Sequence, residues 1–278
     1  MFNLIMAIVS SAMVSITMRI GEKRCSGSMG LLAINYLICL IIAGCYMGLD
    51  QIFPKLDGLG LTMGMSCING LLFMLGFVLL QLNIKRNGVV LSATFQKLGL
   101  LVPITISIFG FGERPVLTQI LGFVIAVGAI VLINFEKEEN AISFKLGLIL
   151  LLFAGGMCDS MSKIFDEVAN NALSEQFLFY TFVVAFLLCL AVIIYKKEKI
   201  GKNEIMFGAL IGLPNYFSAR FLLKSVEAID AVIVYPTYSV GTILMVSIIG
   251  VLCFKEHLTG KQKIAIGFIL LALVFLNI

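Results

Sequence analysis

Ten apolar runs, each close to 20 residues long, take up most of this 278-residue chain. They lie at about 2–20, 30–49, 60–82, 88–111, 115–134, 146–163, 176–195, 204–223, 231–254 and 263–278. An α-helix rises about 1.5 Å per residue, so about 20 apolar residues are needed to cross the roughly 30 Å hydrocarbon layer of a bilayer. Helices in soluble cores are shorter, about 10–14 residues, and amphipathic. The chain is 60% hydrophobic and 13% charged, where a soluble domain is about 45–50% apolar and about 25% charged. The charge collects in the joints: Glu22-Lys23-Arg24, Lys85-Arg86, Glu113-Arg114, Asp166 to Glu175, Lys196 to Glu204 and Lys255 to Lys263. A transmembrane β-barrel would instead show alternating segments of about ten residues. The expected fold class is therefore an all-α polytopic membrane protein with ten transmembrane helices and no soluble domain. The lipid bilayer is its first partner.

Other classes lose ground on composition. The net charge of +4 comes from the joints and calls for no nucleic acid. Seven cysteines show no metal-ligand or redox spacing, and six of them (Cys39, Cys45, Cys67, Cys158, Cys189 and Cys253) lie inside apolar runs as small core side chains. His257 is the only histidine, so neither a metal nor a cofactor is expected. The first run lacks a basic start and is followed by further spans, which reads as an uncleaved first helix rather than a secretory signal.

The ten runs fall into two sets of five, and the text of the first set recurs in the second. Phe111-x-Glu113 with Gln119 recurs as Phe254-x-Glu256 with Gln262, an offset of 143 residues. The same offset pairs Asn87 with Asp230, Val89 with Val232 and Leu101 with Leu244; near the repeat starts it becomes 144, pairing Met13 with Met157, Arg19 with Lys163 and Tyr36 with Tyr180. The chain thus reads as two repeats, 1–139 and 140–278. An odd number of spans per repeat makes the second copy enter from the opposite face. That arrangement places a binding site near the midplane in many transporters.

Lysine and arginine give an orientation. The joints after runs 1, 3, 5, 7 and 9 hold 14 of them: Arg19, Lys23, Arg24, Lys85, Arg86, Lys137, Lys145, Lys196, Lys197, Lys199, Lys202, Lys255, Lys261 and Lys263. The other side holds 5, namely Lys55, Arg114, Lys163, Arg220 and Lys224. The richer side is expected in the cytoplasm, which puts both termini outside.

The carrying pattern is an apolar helix ending in Glu, a short turn, and a helix with Gln and small residues. It reads Phe111-Gly112-Glu113-Arg114-Pro115 with Thr118-Gln119 and Gly122, then Phe254-Lys255-Glu256-His257-Leu258-Thr259 with Gln262 and Gly267. On this pattern, and on Tyr235-Pro236 early in the ninth run, the chain resembles the drug/metabolite transporter superfamily, specifically its EamA-type ten-helix members. The resemblance implies secondary transport, often export, of small metabolites or drugs across the plasma or inner membrane. Two departures stand out. Pro236 has Ala93 as its counterpart, which shifts the expected kink of the first copy to Pro103. The chain ends Phe275-Leu276-Asn277-Ile278, without the basic cytoplasmic C-terminus that the family pattern implies, so the two orientation criteria disagree.

Polar residues inside the runs are the candidate site. Lys97 lies mid-span, where a cation costs about 2.5–3.5 kcal/mol on insertion scales, so it should face the bundle interior. There it would attract a substrate carboxylate or phosphate, or pair with a protein carboxylate; its repeat counterpart is Val240. Gln96 adds hydrogen-bonding capacity beside it. Asp159 is the one carboxylate inside a run rather than at its edge, and Lys163 four residues on shares its helical face. It is a coupling candidate, alternatively half of a structural ion pair. Asn215 and Tyr216 follow Pro214, which frees a carbonyl in the preceding turn. Tyr235 and Tyr238 flank Pro236 in a stretch that also holds Thr237 and Ser239. Small residues in runs 5 and 10 (Gly122, Gly128, Ala265, Gly267, Ala272) suit close packing within the bundle, or a homodimer contact.

The expected function is a secondary transporter, an exporter of amino acids or other carboxylate-bearing solutes, working by alternating access. No GxxxxGK[ST] loop is present, so no ATPase engine is expected in the chain. A non-transporting structural or regulatory membrane protein is the alternative, and a membrane-embedded lipid enzyme the weaker one, since no His, Asp or Glu cluster lies within the runs.

Overall fold

The computed structural model describes the backbone of residues 1–22, 24–25, 28–87, 89–134, 145–254 and 260–277. Glu256 and His257 of the second repeat motif, and the side chain of Gln262, lie outside what it describes, as do the side chains of Arg19 and Asn87. Among the described residues there are eleven α-helical segments and no strand. They are α1 (Phe2–Glu22), α2 (Ser28–Met47), α3 (Leu59–Asn87), α4 (Val89–Leu98), α5 (Leu101–Gly110), α6 (Leu117–Asn134), α7 (Lys145–Val168), α8 (Ser174–Lys196), α9 (Lys202–Val226), α10 (Ala231–Phe254) and α11 (Gly260–Asn277). These are ten helices, one for each apolar run, with the fourth interrupted between α4 and α5. Among the described residues six are long and apolar enough to cross a membrane: those containing Met29–Met47, Leu59–Leu80, Leu146–Val168, Asn171–Lys196, Lys202–Val226 and Ala231–Cys253. Shorter apolar helical stretches occupy Phe2–Met18, Phe95–Gly110, Leu117–Leu132 and Lys263–Asn277.

The chain divides into two compact units that each draw on both sequence halves. One contains Met1–Met74 and Ile164–Ser225, the other Leu75–Lys163 and Val226–Ile278. Helices α3 and α7 therefore each begin in one unit and end in the other.

In the first unit α2 packs along α8 and also against α9. Glycines permit the close approaches: a Cβ on Gly212 would meet the Asn35 carbonyl at 2.7 Å, and one on Gly70 would meet the Thr181 carbonyl at 2.8 Å. Polar side chains between these helices bond to one another and to backbone, since hydrocarbon offers them no water. The Ser66 hydroxyl donates to the Phe177 carbonyl at 3.0 Å, and Asn69 Nδ2 donates to Thr181 Oγ1 at 3.4 Å.

In the second unit α6 packs along α11, with Ala126, Ala129, Ala265, Ala272 and Leu276 buried. A Cβ on Gly122 would meet the Leu276 amide nitrogen at 2.9 Å. Gly122, Ala265 and Ala272 are thus used inside the bundle, while Gly128 and Gly267 have nothing within 4 Å of a built Cβ. Large apolar side chains such as Leu71, Leu75, Phe109, Val124 and Val274 point outward. Apolar surface of this extent suits lipid and would be an aggregation liability in water.

The interruption between α4 and α5 has a local cause. Pro103 has no amide hydrogen to offer the Gly99 carbonyl, which instead accepts from Val102 N–H at 2.9 Å, while Gly99 N–H reaches back three residues to the Gln96 carbonyl at 3.1 Å. The tightened backbone lies against α7 at its Gly155-Gly156 pair. A Cβ on Gly156 would collide with the Gly99 carbonyl and meet Val102 Cβ at 2.6 Å. In α9 and α10, by contrast, Pro214 and Pro236 sit inside continuous helices. Gly156→Ala should therefore lower stability by about 1–3 kcal/mol, the range for overpacking, whereas Gly267→Ala should not. Thermal unfolding of the purified protein in detergent checks this: equal midpoints would mean that the α4/α5 break does not depend on close contact at Gly156.

Candidate functional site

The second unit brings Lys97, Asp159 and Tyr235 into one region. Lys97 lies in the last turn of α4, two residues before Gly99, and Asp159 lies three residues beyond Gly156 on α7. The glycine crossing therefore carries both charged groups toward each other. Each side chain lies in the field of the other's charge. Gln96 is exposed, and its Cγ approaches the Cβ position of Gly155 at 3.9 Å. From α10, the buried Tyr235 donates its hydroxyl to the Asp159 carbonyl at 2.8 Å. Tyr238 is half-buried one turn further on. In the same unit the hydroxyls of Ser107 and Thr237 are buried and make no hydrogen bond among the described residues.

A second polar junction lies one helical turn away. Gly112, at φ 73°, lets the chain fold back after α5, so that Glu113 N–H donates to the Ser107 carbonyl at 3.0 Å. The Glu113 carboxylate then meets the start of α10: Ala231 N–H donates to Oε1 at 3.0 Å and Val232 N–H to Oε2 at 3.1 Å. These amides have no partner within α10 itself, and the positive end of the helix favours an anion there. Lys163, in the C-terminal half of α7, completes the junction with Nζ 3.0 Å from Glu113 Oε1, the two side chains only 7% and 10% exposed. Spacing alone had offered Asp159 as the partner of Lys163. In the structure Lys163 binds Glu113, and the charge acting on Asp159 is that of Lys97. The signal that pointed to Glu113 was its recurrence at Glu256, but its partners 50 and 118 residues further along could not be read from spacing.

Asn215 and Tyr216 occupy the first unit, each tied to its neighbours. Asn215 Nδ2 donates to Asn35 Oδ1 at 3.2 Å, while the thiol of the buried Cys39 donates to the Gly212 carbonyl at 3.2 Å. Pro214 cannot supply an amide hydrogen in this turn of α9. The fully buried Tyr216 donates its hydroxyl to Glu175 Oε2 at 3.1 Å. Arg220 donates through Nε to Glu175 Oε1 at 2.8 Å and places its guanidinium 4.4 Å from the ring centroid of Tyr46. Charge and cation–π contact hold Arg220 here. Among the described residues no group of three or more His, Cys, Asp or Glu could hold a metal ion.

Apolar helices of span length, with charge confined to a few paired sites, make this a polytopic membrane protein. Residues 145–278 match the EamA-like transporter family. That match covers the second half of the chain and supports a place in the drug/metabolite transporter superfamily, whose EamA members are membrane transporters. An uncharacterized protein of Haemophilus influenzae is 27% identical over 288 residues, covering 98% of this chain and 96% of that protein. A crystal structure of another protein matches with a TM-score of 0.73 over 99% of this chain and 94% of that one. At 14% identity this likeness concerns the fold alone.

The Glu175 junction predicts a graded loss. Tyr216→Phe removes one hydrogen bond, about 1 kcal/mol, and Glu175→Gln removes the anion facing a mostly buried guanidinium, about 1–3 kcal/mol. Partial exposure of the pair, 16% for Arg220 and 25% for Glu175, sets the second figure toward the low end. Unfolding midpoints in detergent should fall in that order, and an unchanged Glu175→Gln protein would contradict it.

Proposed function

We propose that this protein is a secondary transporter, an exporter of amino acids or other small carboxylate-bearing solutes, working by alternating access in the plasma or inner membrane. The halves 1–139 and 140–278 are taken as inverted five-helix repeats. Supporting this are the five apolar helices in each half and the repeat offset that pairs Glu113 with Glu256. The observation that carries the substrate class is Lys97 beside Asp159 at the α4/α5 interruption. A cation and a carboxylate placed in otherwise apolar helices are costly to keep. Together they present complementary charge to a solute bearing a carboxylate, or a carboxylate and an ammonium group.

In this reading Lys97 attracts the solute carboxylate, Asp159 is the coupling group, and Tyr235 holds the backbone of α7 in place. Gln96 and Tyr238 supply further hydrogen bonds. Asn215 and Tyr216 serve by shaping the first unit. No ATPase engine drives the cycle, so solute or ion gradients do.

Counterflow into proteoliposomes with a panel of radiolabelled amino acids and other carboxylates tests the proposal. Lys97→Ala should raise KM more than tenfold, because a charge-assisted contact is lost, while Lys97→Arg should retain most of the affinity. Unchanged KM in Lys97→Ala for every transported solute would remove Lys97 from the site. A purified protein inert toward the whole panel would favour a structural or regulatory role.

A further inference from the structure

Helices α7 and α10 are tied at two levels, one turn apart on each helix. At the outer level Lys163 of α7 and the Ala231 and Val232 amides of α10 share the Glu113 carboxylate. At the inner level the Asp159 carbonyl of α7 accepts from Tyr235 of α10. Asp159 and Lys163 are four residues apart, as are Ala231 and Tyr235, so each helix carries one member of both ties on adjacent turns. The Glu113 carboxylate is supplied by neither helix. It comes from the turn after α5, held by Gly112 and by the closing bond from Glu113 N–H to the Ser107 carbonyl.

We propose that Glu113 is a positioning residue of the transport cycle: its carboxylate fixes the register of α7 against α10 and so places Asp159 relative to Lys97. The role rests on the transporter reading above. Geometry supports it over a purely local cap. A side chain from the last turn before α10, or Asp230 itself, would cap the helix without engaging α7. Glu113 instead spends its two oxygens on two helix amides and a cation from another helix. Removing its charge takes the Glu113 carboxylate from Lys163 and frees the first turn of α10. The turn of α10 that loosens is next to Tyr235, and the turn of α7 that loses its anchor is next to Asp159. Glu113 does not touch the solute. Its loss should therefore slow the cycle more than it weakens binding.

The test uses the full-length protein in proteoliposomes and in detergent. Glu113→Gln should lower the maximal counterflow rate more than tenfold while leaving solute KM within about threefold. Hydrogen exchange read by mass spectrometry should accelerate at least tenfold at the Ala231–Val234 amides and leave the α6 and α11 amides unchanged. Glu113→Asp keeps the charge and should recover part of the rate. Glu113→Gln with Lys163→Met removes the cation that faced the carboxylate and should recover more stability than rate. A Glu113→Gln protein with wild-type exchange at Ala231–Val234 overturns the proposal, whatever its transport. Accelerated exchange with an unchanged rate, or a KM rise that matches the loss of rate, overturns it as well. If the wild-type protein carries no solute, the transporter reading fails on that result, and the exchange experiment still decides whether Glu113 fixes the two helices.

Discussion

A cation and a carboxylate, Lys97 and Asp159, lie within apolar stretches of α4 and α7, and each lessens the cost of burying the other. Much of the second unit follows from bringing them together. Pro103 cannot complete the helical bond to Gly99, so the fourth span breaks beside Lys97. Gly156 on α7 accepts the broken backbone at a distance that no side chain would allow, which sets Asp159 nearby. Tyr235 binds the Asp159 backbone from α10, and Glu113 bridges the same two helices one turn further along. In a soluble protein such charges could be hydrated in place. In hydrocarbon the backbone has to be shaped to suit them.

The first unit follows the same rule with a different result. Its polar groups are matched with one another: Asn215 with Asn35, Tyr216 and Arg220 with Glu175, Asn69 with Thr181. Matched groups give rigidity and leave little hydrogen-bonding capacity for a solute.

The helices were legible because their signal is long: a run of about 20 apolar residues has few other solutions. Pro103 was legible as a disturbance, yet the break falls four residues earlier, where the carbonyl loses its donor. Spacing within one helix misled at Lys163, because a partner four residues away is visible in sequence and one from another hairpin is not. Asn215 and Tyr216 looked like site residues because polar groups beside a proline are rare in a span. Their partners Asn35 and Glu175, 180 and 41 residues distant, could not be inferred without the packing of α2, α8 and α9. Glu113 was noticed as a repeated letter, and only its contacts with Lys163 and α10 give that letter a mechanical meaning.

The central claim is that Lys97 and Asp159 are kept for solute recognition rather than for stability. Solute-induced thermal stabilisation, measured on the wild type, Lys97→Met, Asp159→Asn and the double variant, separates the two. Each single variant should unfold at a lower temperature than the wild type, because one charge is stranded. The double variant should regain the wild-type midpoint or exceed it, and yet show no stabilisation by any carboxylate solute that stabilises the wild type. Retained solute stabilisation in the double variant would contradict the account.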